Sequence, residues 1–209
     1  MDLNNYKIKR GFITSSESKQ ILNWVDTINH LGNETNHHLT EISKTLNGKS
    51  FIFDISDTQH TNYITNFQSL FKVSKEPLPD FIYTIIDRIV DEFKFSKNNI
   101  FLQVVDMNNG GKISPHYDAS IDGYVNYKCN ISVLSEDYDF YVDTTPIRIT
   151  QTDLYGFEAS LYKHWTKEFK SRRVFLSFGF ILPYDIVGRD ENDVRVKLSK
   201  RIIKYFQNK

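Results

Sequence analysis

The stretch FLQVVDMNNGGKISPHYD, residues 101–118, decides how the rest of the chain is read. It begins with Phe101-Leu102-Gln103-Val104-Val105, a short run of β-forming residues, and breaks at the turn signal Asn108-Asn109-Gly110-Gly111. His116 and Asp118 then stand two residues apart. On an extended strand that spacing puts both side chains on one face. His164 follows about fifty residues later, enough chain to pass through several strands and return to the same end of a barrel. Two histidines and one carboxylate with open positions suit a ferrous ion. Arg173 comes soon afterwards on the run RRVFLSFGFIL, where an inward-facing guanidinium can grip a carboxylate with two hydrogen bonds. Its neighbour Arg172 points the other way in a strand, so only one of the two is the binder, and spacing favours Arg173.

Working outward, residues 100–182 are dominated by the β-type runs FLQVV, YVNYKCNISVL, YDFYV, PIRIT and RRVFLSFGFIL, separated by Asn, Gly and Asp. About eight strands at this spacing fit a jelly roll. Upstream, residues 6–13 read as a strand and turn, and Phe51-Ile52-Phe53 as a second strand. Ser15 or Ser16 caps a helix whose apolar face is Ile21, Leu22, Trp24, Val25 and Ile28, ending near Gly32-Asn33. Helices are also expected over 37–46, over 58–73, after Pro79 with Ile82, Ile85, Ile86, Ile89, Val90 and Phe93 inward, and over 194–206 with Val194, Leu198, Ile202, Tyr205 and Phe206 inward. Helices followed by a run of strands make an α+β fold: a double-stranded β-helix (jelly-roll) core with helices on the outer face of its major sheet. The expected organisation is one domain over 1–209, with 1–99 as mostly helical support and lid, 100–182 as core and 183–209 as a closing helix.

Composition narrows the function. Hydrophobic residues are 40% and charged residues 25% of the 209, a profile that folds rather than stays disordered. Lys and Arg total 26 against 26 Asp and Glu, so no overall basic field recruits nucleic acid. No apolar run approaches the ~18 residues of a membrane span, and MDLNNYKIKR lacks a signal-peptide core. A cytoplasmic protein with no membrane partner is expected. Cys129 stands alone and reads as a small core residue, so any metal must use histidine and carboxylate. His30, His37, His38 and His60 lack a carboxylate at metal-site spacing and read as surface residues.

The chain resembles the iron(II)- and 2-oxoglutarate-dependent dioxygenases, and within them the compact prolyl-hydroxylase-like and AlkB-like members. The resemblance rests on YKIKRGFITSSESKQILNWVDTI as opening strand, turn and first helix, on the HxD entry at His116 and Asp118, and on residues 161–182 as the distal-histidine and arginine strands. It implies that His116, Asp118 and His164 hold Fe(II), that 2-oxoglutarate chelates the metal, that Arg173 pairs with its distal carboxylate, and that O2 takes the last position. Hydroxylation of a small molecule, amino acid or peptide, with release of succinate and carbon dioxide, is the implied reaction. Tyr127 and Gln103 are further candidates for cosubstrate contacts.

Departures from the family pattern carry information. The Ser or Thr that many members place two residues after the arginine is Phe175, and Ser177 is too far along the strand to replace it. The second arginine of AlkB-like enzymes is Gly179, which weighs against nucleic acid as substrate; that reading stays open as an alternative, as does a non-catalytic jelly-roll binding module. Taken as isolated residues, His116 and Asp118 also fit a surface pair in a polar loop, and Arg172-Arg173 a solvated strand end. Asp122, Tyr124, Arg148 and Trp165 are unranked candidates for facing the substrate.

Overall fold

The computed structural model describes residues 6–31, 33–34, 47–55, 73–74, 77–97 and 100–207. Their order is β1 (Tyr6–Lys9), α1 (Ser15–Ile28), a 3-10 turn (Asn29–Leu31), β2 (Asn33–Glu34), β3 (Gly48–Asp54), β4 (Val73–Ser74) and α2 (Asp80–Phe93). Then come β5 (Ile100–Met107), β6 (Tyr124–Leu134), β7 (Tyr138–Val142), β8 (Thr145–Ile149), β9 (Leu154–Glu158), β10 (His164–Thr166), β11 (Arg173–Pro183), a second 3-10 turn (Tyr184–Val187) and α3 (Val194–Gln207). The expected helices over 37–46 and 58–72, with His37, His38 and His60, lie outside the described residues; Val73 begins a short strand.

The larger sheet runs β1-β9-β6-β11-β5-β3-β2, with β4 parallel to β3, and the smaller runs β10-β7-β8. The segment that carries His116 joins the smaller sheet through paired backbone bonds with His164, adding a fourth chain beside β10. The two four-membered layers β9-β6-β11-β5 and β8-β7-β10 plus this segment are the jelly roll. Strands β1 and β3 widen the major sheet beyond it, so the first third of the chain contributes strands to the sheet as well as helices.

Period-two alternation sorts the side chains into two cores. From β11, Val174, Leu176, Phe178 and Phe180 face the helix layer, joined by Leu102 and Val104 of β5 and Cys129, Ile131 and Val133 of β6. Against them pack Ile21, Val25 and Ile28 of α1 and Ile82, Ile85, Ile86 and Ile89 of α2, the stripes that the 3.6-residue periodicity marks out. Between the sheets lie Val105, Met107, Phe140, Val142, Ile147, Ile149, Tyr155, Phe157 and Phe175.

Three local expectations are corrected. The cap of α1 is Thr14, not Ser15 or Ser16: its hydroxyl accepts from Glu17 N (3.1 Å) while its own N–H donates to Glu17 Oε2 (2.7 Å). That reciprocal pair satisfies two backbone donors at once, which a serine one position later would not. Helix α1 itself ends at Ile28, short of Gly32. In α3, among the described side chains, Val196 and Ser199 are buried whereas Val194 and Leu198 are exposed; the side chains of Ile202, Tyr205 and Phe206 lie outside the described residues. Among the described residues no helix is long and apolar enough to cross a membrane.

Candidate metal centre

Backbone pairing brings the triad together. Gly110, at φ +86, turns the chain back after β5, and Gly110 N donates to Phe169 O (2.9 Å). From there Phe169 N to Gly111 O (2.9 Å), Thr166 N to Ile113 O (3.0 Å), His164 N to His116 O (2.9 Å) and His116 N to His164 O (3.2 Å) zip the two histidine-bearing segments side by side. Asp118 N continues the ladder onto Ala159 O at 2.9 Å. The imidazoles end 4.2 Å apart, ring to ring.

Within this frame His116 Nε2 lies 3.2 Å and His164 Nε2 3.6 Å from the same oxygen, Asp118 Oδ1. The ligand atoms of all three residues fall within 4.8 Å of one another. His116 Nδ1 meets Ser114 O at 2.8 Å and His164 Nδ1 meets Tyr162 O at 3.2 Å. A carbonyl accepts only, so each Nδ1 carries the proton and each Nε2 presents a lone pair inward. Burial pushes the His164 imidazole down to about 3, reinforced by His116 against the pull of Asp118, so it is neutral near pH 7. Burial alone would raise the Asp118 carboxyl, but the Lys128 ammonium holds it well below the usual carboxylate range. Two imidazole nitrogens and one carboxylate oxygen converging on one point fit a divalent first-row metal with open positions.

Arg173, on the inner face of β11, is fully buried. Its Nη2 donates to the Tyr138 hydroxyl (2.6 Å) and the Tyr155 hydroxyl (3.2 Å), and its guanidinium lies 4.2, 4.5 and 4.3 Å from the rings of Tyr138, Phe169 and Phe175. Nε and Nη1 have no hydrogen-bond partner, and no carboxylate among the described residues lies within ion-pair distance. A buried cation with unused donors fits a carboxylate ligand. Phe175 flanks the guanidinium, and Tyr138 on β7 and Tyr155 on β9 bring hydroxyls to it. Arg172 faces the helix layer, bonded to Asp106 (2.9 and 2.8 Å) and to Asp26 (2.7 Å).

The remaining candidates separate by strand face. Tyr127 is corrected: its ring packs on Phe93 and Phe95 in the helix-side core, so it points away from the triad. Gln103 lies on the inner face beside Ser177, its amide donating to Ser50 Oγ at 2.8 Å. Across Ser177 stands Asn130, whose buried Oδ1 has no partner. Arg148 and Trp165 sit on the outer face of the smaller sheet, Trp165 stacked on Tyr141 at 3.8 Å and Arg148 beside Asp139. Tyr124 packs with Ile121 against Phe101 and Ile181, and Asp122 pairs with Lys200 at the surface. Cys129 is buried in the helix-side core as expected.

Three residues escaped the sequence reading. Lys128 places Nζ 3.6 Å from Asp118 Oδ2. Its signal was available: Asn126, Lys128, Asn130 and Ser132 form a period-two polar row on an otherwise apolar strand, which marks the face that lines a site. Tyr138 and Tyr155 carried no such signal, because aromatics in strands read as core.

Comparison with known proteins agrees on architecture. No protein-family model matches the sequence, and no curated protein matches it. Solved structures do. A prolyl-4-hydroxylase from Pseudomonas putida is similar at TM-score 0.56 and 8% identity, over 86% of this chain and 94% of that one. A prolyl hydroxylase from Trichoplax adhaerens, in complex with a hypoxia-inducible-factor oxygen-degradation-domain peptide fragment, is similar at TM-score 0.56 and 13% identity, over 90% and 89%. A viral collagen prolyl hydroxylase from Paramecium bursaria Chlorella virus-1, as its 2-oxoglutarate complex, follows at TM-score 0.50 and 14% identity, over 86% and 97%. At such identities the likeness is one of fold, and the fold of this chain is the jelly roll of the prolyl hydroxylases.

Proposed function

We propose that this chain is an iron(II)- and 2-oxoglutarate-dependent oxygenase that hydroxylates an amino-acid side chain, presented in a peptide or as a small molecule. One observation carries the reading: a two-histidine, one-carboxylate triad shares a barrel interior with a buried arginine that has donors to spare. His116, Asp118 and His164 would hold the metal on one side and leave the other open. Arg173, with Tyr138 and Tyr155, would seat and orient the cosubstrate's far carboxylate. The aromatic walls Phe140, Phe157 and Phe175 keep water from that interior. When bound, the ferrous ion with 2-oxoglutarate and O2 would supply the oxidation and release succinate and carbon dioxide.

The peptide substrate of one structural neighbour supports the substrate class. At position 179, where AlkB-like enzymes carry an arginine, a Cβ would meet the Phe101 ring at 2.1 Å, which favours this reading over a nucleic-acid one. Residues 1–209 are proposed to work as one domain, since β1 and β3 complete the same sheet as the core strands. A reducing, cytoplasmic setting suits both a ferrous ion and the free thiol of Cys129.

The test is an anaerobic titration of metal-free protein with ferrous iron and then 2-oxoglutarate, following the visible charge-transfer band of the chelate. Wild type should develop the band, His164→Ala should not, and Arg173→Ala should need at least about tenfold more cosubstrate. A wild type that gains no band with metal and cosubstrate in excess is not this enzyme.

A further inference from the structure

The charges buried in the barrel do not balance. Of the described residues, Lys128 and Arg173 face the site against a single carboxylate, Asp118. Among the described residues no other acid lies within ion-pair distance of either cation. The buried acids elsewhere have their own partners, Asp106 with Arg172, Asp153 with Arg10 and Glu158 with Arg189.

Lys128 is placed where this surplus matters most. In register it stands in one lateral row with Phe157 of β9, Gly179 of β11 and Phe101 of β5. The Phe101 ring fills the space a side chain at 179 would take, and the ammonium rests over that ring at 4.3 Å from its centre. The side chain is 7% exposed, so it cannot swing its charge into water without leaving the core. Its Nζ touches Asp118 Oδ2, and the other oxygen of the same carboxylate, Oδ1, is the one aimed at by both imidazoles. The carboxylate is thereby held with one oxygen toward the metal position and the other toward a fixed cation.

We propose that Lys128 makes divalent-metal binding at the triad conditional on the dianionic cosubstrate. A metal ion arriving at Oδ1 adds two positive charges to an interior already in surplus, beside an ammonium on the same carboxylate, in surroundings where Coulomb interactions are weakly screened. The metal alone therefore binds poorly. A dianion with one carboxylate toward Arg173 and the other toward the metal removes most of the surplus, so each ligand strengthens the other by the same factor. The order of assembly is then built into the site: metal is not retained in a form that meets oxygen without its cosubstrate. The inference rests on the functional reading above, and Lys128 acts in it as a positioning and charge-setting residue that never touches the reacting atoms.

Mn(II) is the probe, because it survives in air and its free ion gives a six-line electron paramagnetic resonance signal that is lost on binding. The dissociation constant is measured with and without saturating 2-oxoglutarate, corrected by a protein-free titration, for wild type, Lys128→Met and Lys128→Arg. In wild type the cosubstrate should tighten Mn(II) by about tenfold or more. Lys128→Met should bind Mn(II) alone about tenfold tighter than wild type and gain correspondingly less from cosubstrate, keeping only the part that direct chelation supplies, while Lys128→Arg behaves as wild type. Circular dichroism melting checks folding, and Lys128→Gln replaces the Met variant if that chain does not fold. Mn(II) binding of equal strength with and without cosubstrate in wild type overturns the inference alone, as does a cosubstrate effect of undiminished size in the neutral variants. No Mn(II) binding under any condition overturns the reading of the site, and this inference with it.

Discussion

The Arg173 guanidinium and the Tyr138 hydroxyl meet at 2.6 Å across the barrel, joining β11 of the larger sheet to β7 of the smaller from within. The contact spends one nitrogen of the guanidinium and leaves Nε and Nη1 without partners. A buried charge satisfied only in part does little for stability and much for anion binding. Arg173→Met, which keeps length and drops charge, should leave the melting temperature of the metal-free protein unlowered. It should also abolish the further rise that 2-oxoglutarate gives to metal-loaded wild type. A thermal-shift series with both ligands checks this; a melting temperature that drops sharply without ligands would assign Arg173 to the core instead.

His164 is the only ligand of the triad that comes from the second half of the core strands, so its loss removes the closure of the site. His164→Ala should show no stabilisation by Mn(II) or Co(II). Wild type at a hundredfold excess of metal over its dissociation constant should gain about 2.7 kcal/mol, and a chelator should reverse the gain. Equal metal-induced shifts in the two proteins would place the metal elsewhere.

Gly179 sits beneath the Phe101 ring, with three ring atoms within 2.7 Å of where its Cβ would stand. Gly179→Val should cost about 2–3 kcal/mol through this collision. In a Phe101→Ala background the added cost of the same substitution should fall by more than half, since neighbouring sites of this kind do not add. Urea unfolding of the four proteins gives the coupling directly.

Acid sensitivity should run partly through Glu17. Burial alone would raise its carboxyl, but the Thr14 hydrogen bonds and the Arg88 guanidinium hold it below the ordinary value. A depressed folded value means the stabilisation is complete above the unfolded carboxylate range and is lost as pH falls through the folded value. Because the pair is partly exposed, Glu17→Gln should cost only about 0.5 kcal/mol at pH 7 and nothing once wild-type Glu17 is protonated. Unfolding curves of the two proteins that run parallel at every pH would remove Glu17 from the acid limb.

Helices α1 and α2 were legible because each exposes one face, and a half-buried element writes its orientation into the spacing of Ile and Val. The triad was legible for a related reason: the turn at Gly110 ends any doubt that His116 and Asp118 lie in extended chain, where two residues apart means one face. Strand β6 shows the limit. It is buried on both faces, and only the polar row Asn126, Lys128, Asn130 and Ser132 on one parity tells the site-lining face from the helix-side one that holds Tyr127. Tyr127, a candidate for a cosubstrate contact from its place on the strand after the turn, packs instead on Phe93 and Phe95, at and just beyond the end of α2 and about thirty residues away in sequence.

The sequence by itself determined the period of α1, α2 and the long core strands, the order in which they follow one another, and the three ligand types, since these follow from backbone geometry and side-chain chemistry within a few residues. Only the tertiary structure decided which face of each two-sided strand looks into the barrel. That choice brought Lys128 to the second oxygen of Asp118 and two tyrosines to Arg173. It is set by how α1, α2 and the smaller sheet compete for the two faces of the larger one, an energy summed over contacts from every part of the chain.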